Sequence, residues 1–320
     1  MLRTLLIMIS RWRWARRVVS QWGIAKRMAL RFVAGETLEE AIEVVRGINA
    51  TGMSATLDFL GEDTSTEEEA RNAAGTIREV VHQIEHSGVK SNISLKLTQL
   101  GLKFDEELCR ENLISILQRA KDADMFVRID MEDSPFLEAT FSIFSEMRDN
   151  HGFENVGLVI QSYFYRSKED TQRLLEKNTR IRLVKGAYKE PVEIAFPHKR
   201  EVDEAFDEIG EVMIISSTGT NGWAASEDGK WPPITAIATH DEKRVAYAKD
   251  AAERAGLSKD RLEFQMLYGI RRNLQEELCR EGYPVRVYVP FGEEWFPYYM
   301  RRLAERPANL WFFLSNLVKR

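Results

Sequence analysis

The chain has 320 residues, 44% of them apolar and 30% charged, with a formal net charge of −5. That is room for one large α/β domain with a full core, or for two smaller ones. The acidic balance excludes a global basic field for nucleic acid, the two cysteines, Cys109 and Cys279, exclude a disulfide framework, and no apolar run reaches the roughly 18 residues of a membrane-spanning helix.

Residues 1–35 carry eight basic side chains, no acidic one, and three tryptophans, Trp12, Trp14 and Trp22. They read as a basic helical arm ahead of a catalytic domain over 36–320. The apolar run Leu5–Ile9 is too short for a secretory signal, and no small-residue cleavage site follows it. Docking of residues 1–31 on an anionic membrane suits this composition; packing on the main domain with solvated arginines suits it equally. Thr37-Leu-Glu-Glu40 is a capping box that opens a helix to Asn49.

Eight short apolar runs follow, at 55–60, 92–97, 125–130, 157–162, 179–184, 234–239, 262–267 and 285–289. Amphipathic helices alternate with them. Ser134-Pro135 and Ser167 with Asp170 signal helix starts, and Gly256 and Gly282 signal ends. Eight alternations predict an α/β fold, a (βα)8 barrel with extra N-terminal helices. The rival, an open doubly wound sheet, usually carries a Gly-rich fingerprint after its first strand, where this chain has Asp58-Phe-Leu-Gly-Glu62. The stretch 216–233 breaks the rhythm as a long, turn-rich loop.

Barrel chemistry sits at the C-terminal ends of strands, and five of these ends are polar. They offer Lys96, then Asp130 with Glu132 and Asp133, Arg182 with Lys185, Thr239-His240-Asp241, and Gln265; Gln161 and Tyr288 lie on two further strands. Just after the last strand, Tyr298, Arg301, Arg302 and Glu305 are spaced to share one helical face. An aromatic ring beside two guanidiniums suits a small anion with an apolar body. His240 has no carboxylates at ligand spacing, so a metal site is not expected. No Ser-His-Asp or Cys-His arrangement is evident. A cation-rich pocket without a nucleophile fits a cofactor enzyme, with a Schiff-base lysine at Lys96 or Lys185 as the alternative chemistry.

Arg182-Leu-Val-Lys-Gly-Ala-Tyr188, Ala238-Thr-His-Asp241, Glu263-Phe-Gln-Met-Leu-Tyr-Gly269, Arg286-Val-Tyr-Val-Pro290 and Tyr298-x-x-Arg-Arg-x-x-Glu305 together resemble proline dehydrogenase, in its short monofunctional bacterial form. The likeness runs from about Val33 onward, with the motifs in order and at matching spacing; only the 216–233 loop is longer than the family leads one to expect. The resemblance implies a barrel that binds FAD and oxidises L-proline to 1-pyrroline-5-carboxylate, with electrons passed to membrane quinone. It implies a cytoplasmic enzyme, peripheral on the inner face of the membrane. By the same resemblance, Lys96, Arg301 and Arg302 would hold the proline carboxylate, and Tyr288 and Tyr298 would wall its ring. Arg182 would bond the reactive flavin nitrogen, and Asp130 would be an active-site carboxylate beside Lys96. Met131 and Gln161 would touch the isoalloxazine, and Lys185, Gly186, Ala187, Tyr188, Thr239, His240 and Glu305 would line the rest of FAD. In the family a tyrosine at the Tyr298 position goes with proline, and a smaller residue with hydroxyproline. Another flavin oxidoreductase or a lysine aldolase on the same barrel is the rival enzyme, and a silent proline-binding scaffold is the rival of another class.

Overall fold

The computed structural model describes residues 30–61, 64–219 and 223–305, with 303–305 described by their helical backbone alone. The expected eight strands are present in chain order. They are β1 (Ser54–Phe59), β2 (Ser91–Leu95), β3 (Val127–Ile129), β4 (Val156–Gln161), β5 (Ile181–Val184), β6 (Thr235–Ala238), β7 (Leu262–Leu267) and β8 (Val285–Phe291). All neighbours pair in parallel, and β8 pairs back onto β1 (Thr56 opposite Tyr288), so the barrel is closed. Helix α1 (Leu38–Asn49) precedes β1; α2 (Glu67–Ser87), α3 (Glu106–Asp122), α4 (Leu137–Asp149) and α5 (Ser167–Glu176) follow the first four strands. Then come α6 (Lys199–Thr218), α7 (Glu242–Ala255), α8 (Arg272–Arg280) and α9 (Trp295–Glu305).

Local chemistry sets several of these boundaries. Thr37 and Glu40 form the reciprocal capping box at α1, and Gly256 ends α7 with φ +69, a conformation that glycine adopts without a Cβ clash. The two expected serine caps are displaced. Asp133 holds the cap position before the 3-10 turn Ser134–Phe136, and the Ser134 N–H donates to Glu190 at 3.0 Å. Ser167 is the first residue of α5 rather than its cap, and its hydroxyl donates to the Gln161 carbonyl at 2.6 Å. Both serines thus donate to residues outside their helices, and α4 and α5 begin without a side-chain cap bond.

The strands alternate strictly between two surfaces. Ala55, Leu57, Ile93, Leu95, Val127, Ile129, Leu183, Phe264 and Val287 join the helices in one continuous apolar core between barrel and helix ring. The positions between them carry Asp58, Ser94, Arg128, Arg182, Glu263, Gln265 and Arg286, all buried. Hydrogen bonds join such residues from strands that are not neighbours, which is feasible only through the barrel interior. This lumen is polar, and that polarity decides what the fold can do.

The turn-rich loop after α6 closes the bottom of the barrel. Arg286 donates to the carbonyls of Gly229 and Ala55, both at 2.8 Å, and Arg180 donates to Pro232 at 2.6 Å between the rings of Trp223 and Trp231. Trp231 donates to the Asp124 carbonyl at 3.0 Å and Lys230 to Ala123 at 3.1 Å. Gly229 (φ +70) lies so close to Ser54 and Lys90 that a Cβ would meet them at 2.7 and 2.8 Å. The loop therefore plugs the N-terminal ends of β1, β2, β3, β5 and β8, far from the chemistry.

Candidate active site

At the other end of the barrel, four strands converge on Asp130. Its Oδ1 accepts from Arg182 at 2.7 Å and from the Ser94 hydroxyl at 2.7 Å, and its Oδ2 accepts from the Tyr288 phenol at 2.7 Å. Lys96 Nζ lies 3.9 Å from Oδ2 and 3.3 Å from both carboxylate oxygens of Asp58. Asp58, the last lumen-facing residue of β1, is thus the nearer partner of Lys96. Buried charges are tolerated only when paired, and this alternation of two anions and two cations meets that condition. Burial, with the charges of Asp130 and Asp58, pushes the Tyr288 phenol well above its ordinary pKa, so it stays a proton donor. The guanidinium of Arg182 lies 5.2 Å from the centre of the Tyr288 ring.

A second group of expected residues rims this cluster. Gln161 donates to the Met131 carbonyl at 3.3 Å, and Met131 packs with Val159, Tyr163 and Phe164 in a small apolar cluster against Val184. After β5, Lys185 sits between Asp203 (2.5 Å) and Asp241 (2.8 Å), which ties the β5 loop to α6 and to the start of α7. Burial pushes the Asp241 carboxyl up, yet the bond to Lys185 and its charge win, and the net shift is downward. Gly186 has φ +113, and a Cβ there would fall 2.1 Å from the Tyr163 ring. Ala187 and Tyr188 follow it, exposed and half-buried, in a segment without regular structure. Thr239 accepts from the Asp241 N–H at 3.1 Å, and His240 Nε2 accepts from the Leu267 N–H at 3.0 Å, so its tautomer carries the proton on Nδ1.

Helix α9 stands directly after β8. Gly292 makes the turn at φ +126, and Trp295, Phe296, Tyr298, Tyr299 and Met300 pack on Leu60, Ile270, Phe32 and Val33. Those partners include the segments that leave β1 and β7, so the helix lies at the strand-end face. Tyr298 is buried, Arg301 and Arg302 are half-buried, and the Arg302 guanidinium lies 5.2 Å from the Tyr298 ring. The side chain of Glu305 falls outside the described residues, as does the arm before residue 30; Phe32 and Val33 at its end are buried under α9.

The structure brings Lys96, Asp130, Arg182 and Tyr288 into one cluster, and sets Met131, Gln161, Lys185, Gly186, Thr239 and His240 on the loops and strand ends around it. The sequence patterns assign no individual role to Asp58, Ser94, Tyr163 or Glu263, and mark Gln265 only as a strand end within its motif. The signal that finds them is polarity at every second position of otherwise apolar strands. On the outer face of α2, His82, Glu85 and His86 bring three ligand-type atoms within 4.8 Å of one another. The Arg119 guanidinium already bonds Glu85 and approaches His82 there, so a cation of the protein's own holds that space. Among the described residues, no helix is long and apolar enough to cross a membrane.

Comparison with known proteins places this site in a family. A family model described as proline dehydrogenase matches residues 41–314. Proline dehydrogenase 1 of Bacillus subtilis is 42% identical over 292 residues, 91% of either chain. Proline dehydrogenase of Deinococcus radiodurans is 36% identical, over 93% of this chain and 91% of its own. The crystal structure of proline utilization A (PutA) from Bdellovibrio bacteriovorus, inactivated by N-propargylglycine, matches with a TM-score of 0.79 and 25% identity. That match covers 95% of this chain but only 36% of the longer protein. A family model over most of the chain, relatives matched nearly end to end, and a closed eight-stranded parallel barrel agree: the chain belongs to the proline dehydrogenase family.

Proposed function

We propose that this chain oxidises L-proline to 1-pyrroline-5-carboxylate with FAD bound at the strand-end face, and that the electrons leave to a membrane quinone. The observation that carries the reading is the cross-barrel cluster of Lys96, Asp130, Arg182 and Tyr288, with the two guanidiniums of α9 on the same face. When bound, FAD would supply the hydride acceptor. The residues present suit it. Gly186 lets the β5 loop close directly onto the Tyr163 ring, Met131, Val159 and Tyr163 form an apolar cluster beside it, and Arg182 brings a buried cation.

The protein's part would be to hold and orient. Lys96, Arg301 and Arg302 would grip the substrate carboxylate, and Tyr288 and Tyr298 would wall the pyrrolidine ring, which fixes the reacting carbon in place. Arg182, held by Asp130, would place positive charge where the reduced cofactor becomes negative. Met131, Gln161, Lys185, Gly186, Ala187, Tyr188, Thr239, His240 and Glu305 would line the cofactor. An absorption spectrum of the purified protein, before and after anaerobic L-proline, tests this reading. Flavin bands that bleach with proline are expected; a colourless protein that FAD cannot reconstitute removes the reading.

Residues 1–35 would form a basic arm ahead of the catalytic domain over 36–320, joined to it where Phe32 and Val33 pack under α9, and residues 1–31 would dock on anionic lipid at the inner face of the cytoplasmic membrane, close to the quinone. Eight basic residues among tryptophans support this, each worth up to about 1 kcal/mol at such a surface. Protein lacking residues 1–31 is expected to keep turnover with a soluble dye and to lose salt-sensitive binding to anionic vesicles. Full-length protein that ignores those vesicles would sink the idea.

A further inference from the structure

We propose that Glu263 and Gln265, two residues apart on β7, are positioning residues that set the direction of the Arg182 guanidinium from inside the barrel. The inference rests on the flavin reading above, in which Arg182 faces the cofactor. Gln265 stands between a cation and an anion. Its Oε1 accepts from Arg182 Nε at 2.5 Å, and its Nε2 donates to Glu263 Oε1 at 2.5 Å. All of these residues are buried: Arg182 and Gln265 are 4% exposed and Glu263 is 1% exposed.

A glutamine amide can sit in two orientations related by a half-turn. Here the environment allows one. Arg182 only donates, so oxygen must face it; ionised Glu263 only accepts, so the amide nitrogen must face that side. A flip would set donor against donor and acceptor against acceptor at a site buried from solvent. Glu263 is itself immobile. Arg286 Nε donates to its two oxygens at 3.0 and 3.1 Å, and Arg286 Nη1 is fixed by the carbonyls of Ala55 and Gly229. A rigid chain therefore runs from the plug at the bottom of the barrel, through Arg286, Glu263 and Gln265, to Arg182.

Its consequence is geometric. Arg182 Nη1 is held on the far side by Asp130 at 2.7 Å and Ser94 at 3.2 Å. A planar guanidinium bound at Nε and at Nη1 has lost its freedom to rotate. Nη2, which has no hydrogen-bond partner among the described residues, is left with one direction. Without Gln265 the group would be tethered at Nη1 alone and could swing about that bond.

The test compares the holoenzyme with Gln265→Leu, Glu263→Gln and the double swap Glu263→Gln/Gln265→Glu. The quantities read are flavin content, the midpoint potential of the bound flavin, and kcat and KM for L-proline. Gln265→Leu is expected to keep flavin, to lower kcat roughly ten- to a hundredfold with little change in KM, and to shift the potential to more negative values. Glu263→Gln is expected to move both in the same direction by less, because one amide oxygen must then serve both Arg286 and Gln265. The double swap keeps an amide paired with a carboxylate but reverses the sense of the 263–265 bond: glutamine at 263 donates to a carboxylate at 265, which accepts from Arg182, and its amide oxygen accepts from Arg286. It is expected to regain most of the lost kcat, a rescue that a merely structural role would not give.

Unchanged kcat and potential in flavin-bound Gln265→Leu overturns the inference. So does a double swap that binds flavin and is as slow as Gln265→Leu. If Gln265→Leu loses its flavin, the swap alone decides: retained flavin and turnover support the chain, and their loss refutes it. Should the unmodified holoenzyme fail to bleach with L-proline, the proline reading fails separately, and the comparison of potentials still reads the link between Gln265 and Arg182.

Discussion

Both ends of the barrel bury arginine, and they accommodate it in opposite ways. At the bottom, Arg128 and Arg180 donate to backbone carbonyls, with Arg180 sandwiched by two tryptophans, and Arg286 donates both to carbonyls and to the Glu263 carboxylate that links the two ends. The loop after α6 supplies some of those carbonyls, from Gly229 and Pro232. At the top, Lys96 and Arg182 meet side-chain carboxylates, Asp58 and Asp130, at the face where α9 packs. Carbonyl partners come with the scaffold and cannot leave it. Carboxylate partners balance charge, so an arriving substrate anion enters a field that is already organised. Arg128 and Arg180, held by carbonyls, are therefore scaffold, and Arg286, held by carbonyls and a carboxylate, joins the scaffold to the paired charges above it.

If that contrast is right, bottom variants lose stability and top variants lose catalysis. The largest effect is expected from Arg286→Met, which strands Glu263, 1% exposed, without its cation. Breaking a buried pair on one side costs about 3–5 kcal/mol, to be read from urea unfolding of the flavin-free protein. A loss below about 1 kcal/mol would mean that the pair does not brace the barrel. Next is Arg302→Met, expected to cost roughly 2–5 kcal/mol in kcat/KM for L-proline with unfolding and flavin content little changed. Unaltered proline kinetics would remove α9 from the substrate site. Trp231→Ala returns to the bottom: it deletes the ring 4.9 Å from Arg180 and the bond to Asp124, for about 2–3 kcal/mol of stability. Flavin-bound kcat is expected to hold, and a loss of kcat at unchanged stability would blur the division between the two ends.

How much of this was legible before the structure depends on where each interaction lives. The strands were readable because an apolar face alternates with a polar lumen, and 262–267 coincides with β7 to the residue. β3 is shorter than the expected 125–130, since the Phe126 N–H turns to the Lys230 carbonyl of the plug rather than to a strand. The site motifs were readable as types of residue at strand ends. Their pairing was not. Asp58 reaches Lys96 across 38 residues, and Gln265 reaches Arg182 across 83. No local pattern encodes such partners, which follow only from barrel closure. The role of the 216–233 loop was hidden for the same reason, because its partners lie at the starts of five different strands.

The smallest expected effect sharpens the top of the barrel rather than dividing it from the bottom. Tyr298 is 6% exposed on α9, one turn before Arg302, whose guanidinium lies 5.2 Å from its ring. A ring in that place would cover the substrate carbons while the arginines hold the carboxylate. It would leave little room for a ring hydroxyl and no bond in the right place for one. An apolar wall rejects an added hydroxyl only modestly, by about a hundredfold in comparable pockets. L-proline is therefore expected to exceed trans-4-hydroxy-L-proline in kcat/KM by roughly ten- to a hundredfold. Tyr298→Ser should narrow that gap chiefly by weakening proline, because the lost contact is with the hydrocarbon face. The two substrates measured on the two proteins decide it. Equal efficiency of the unmodified enzyme on both substrates would show that Tyr298 does not wall the ring, and would move the substrate away from this face of α9.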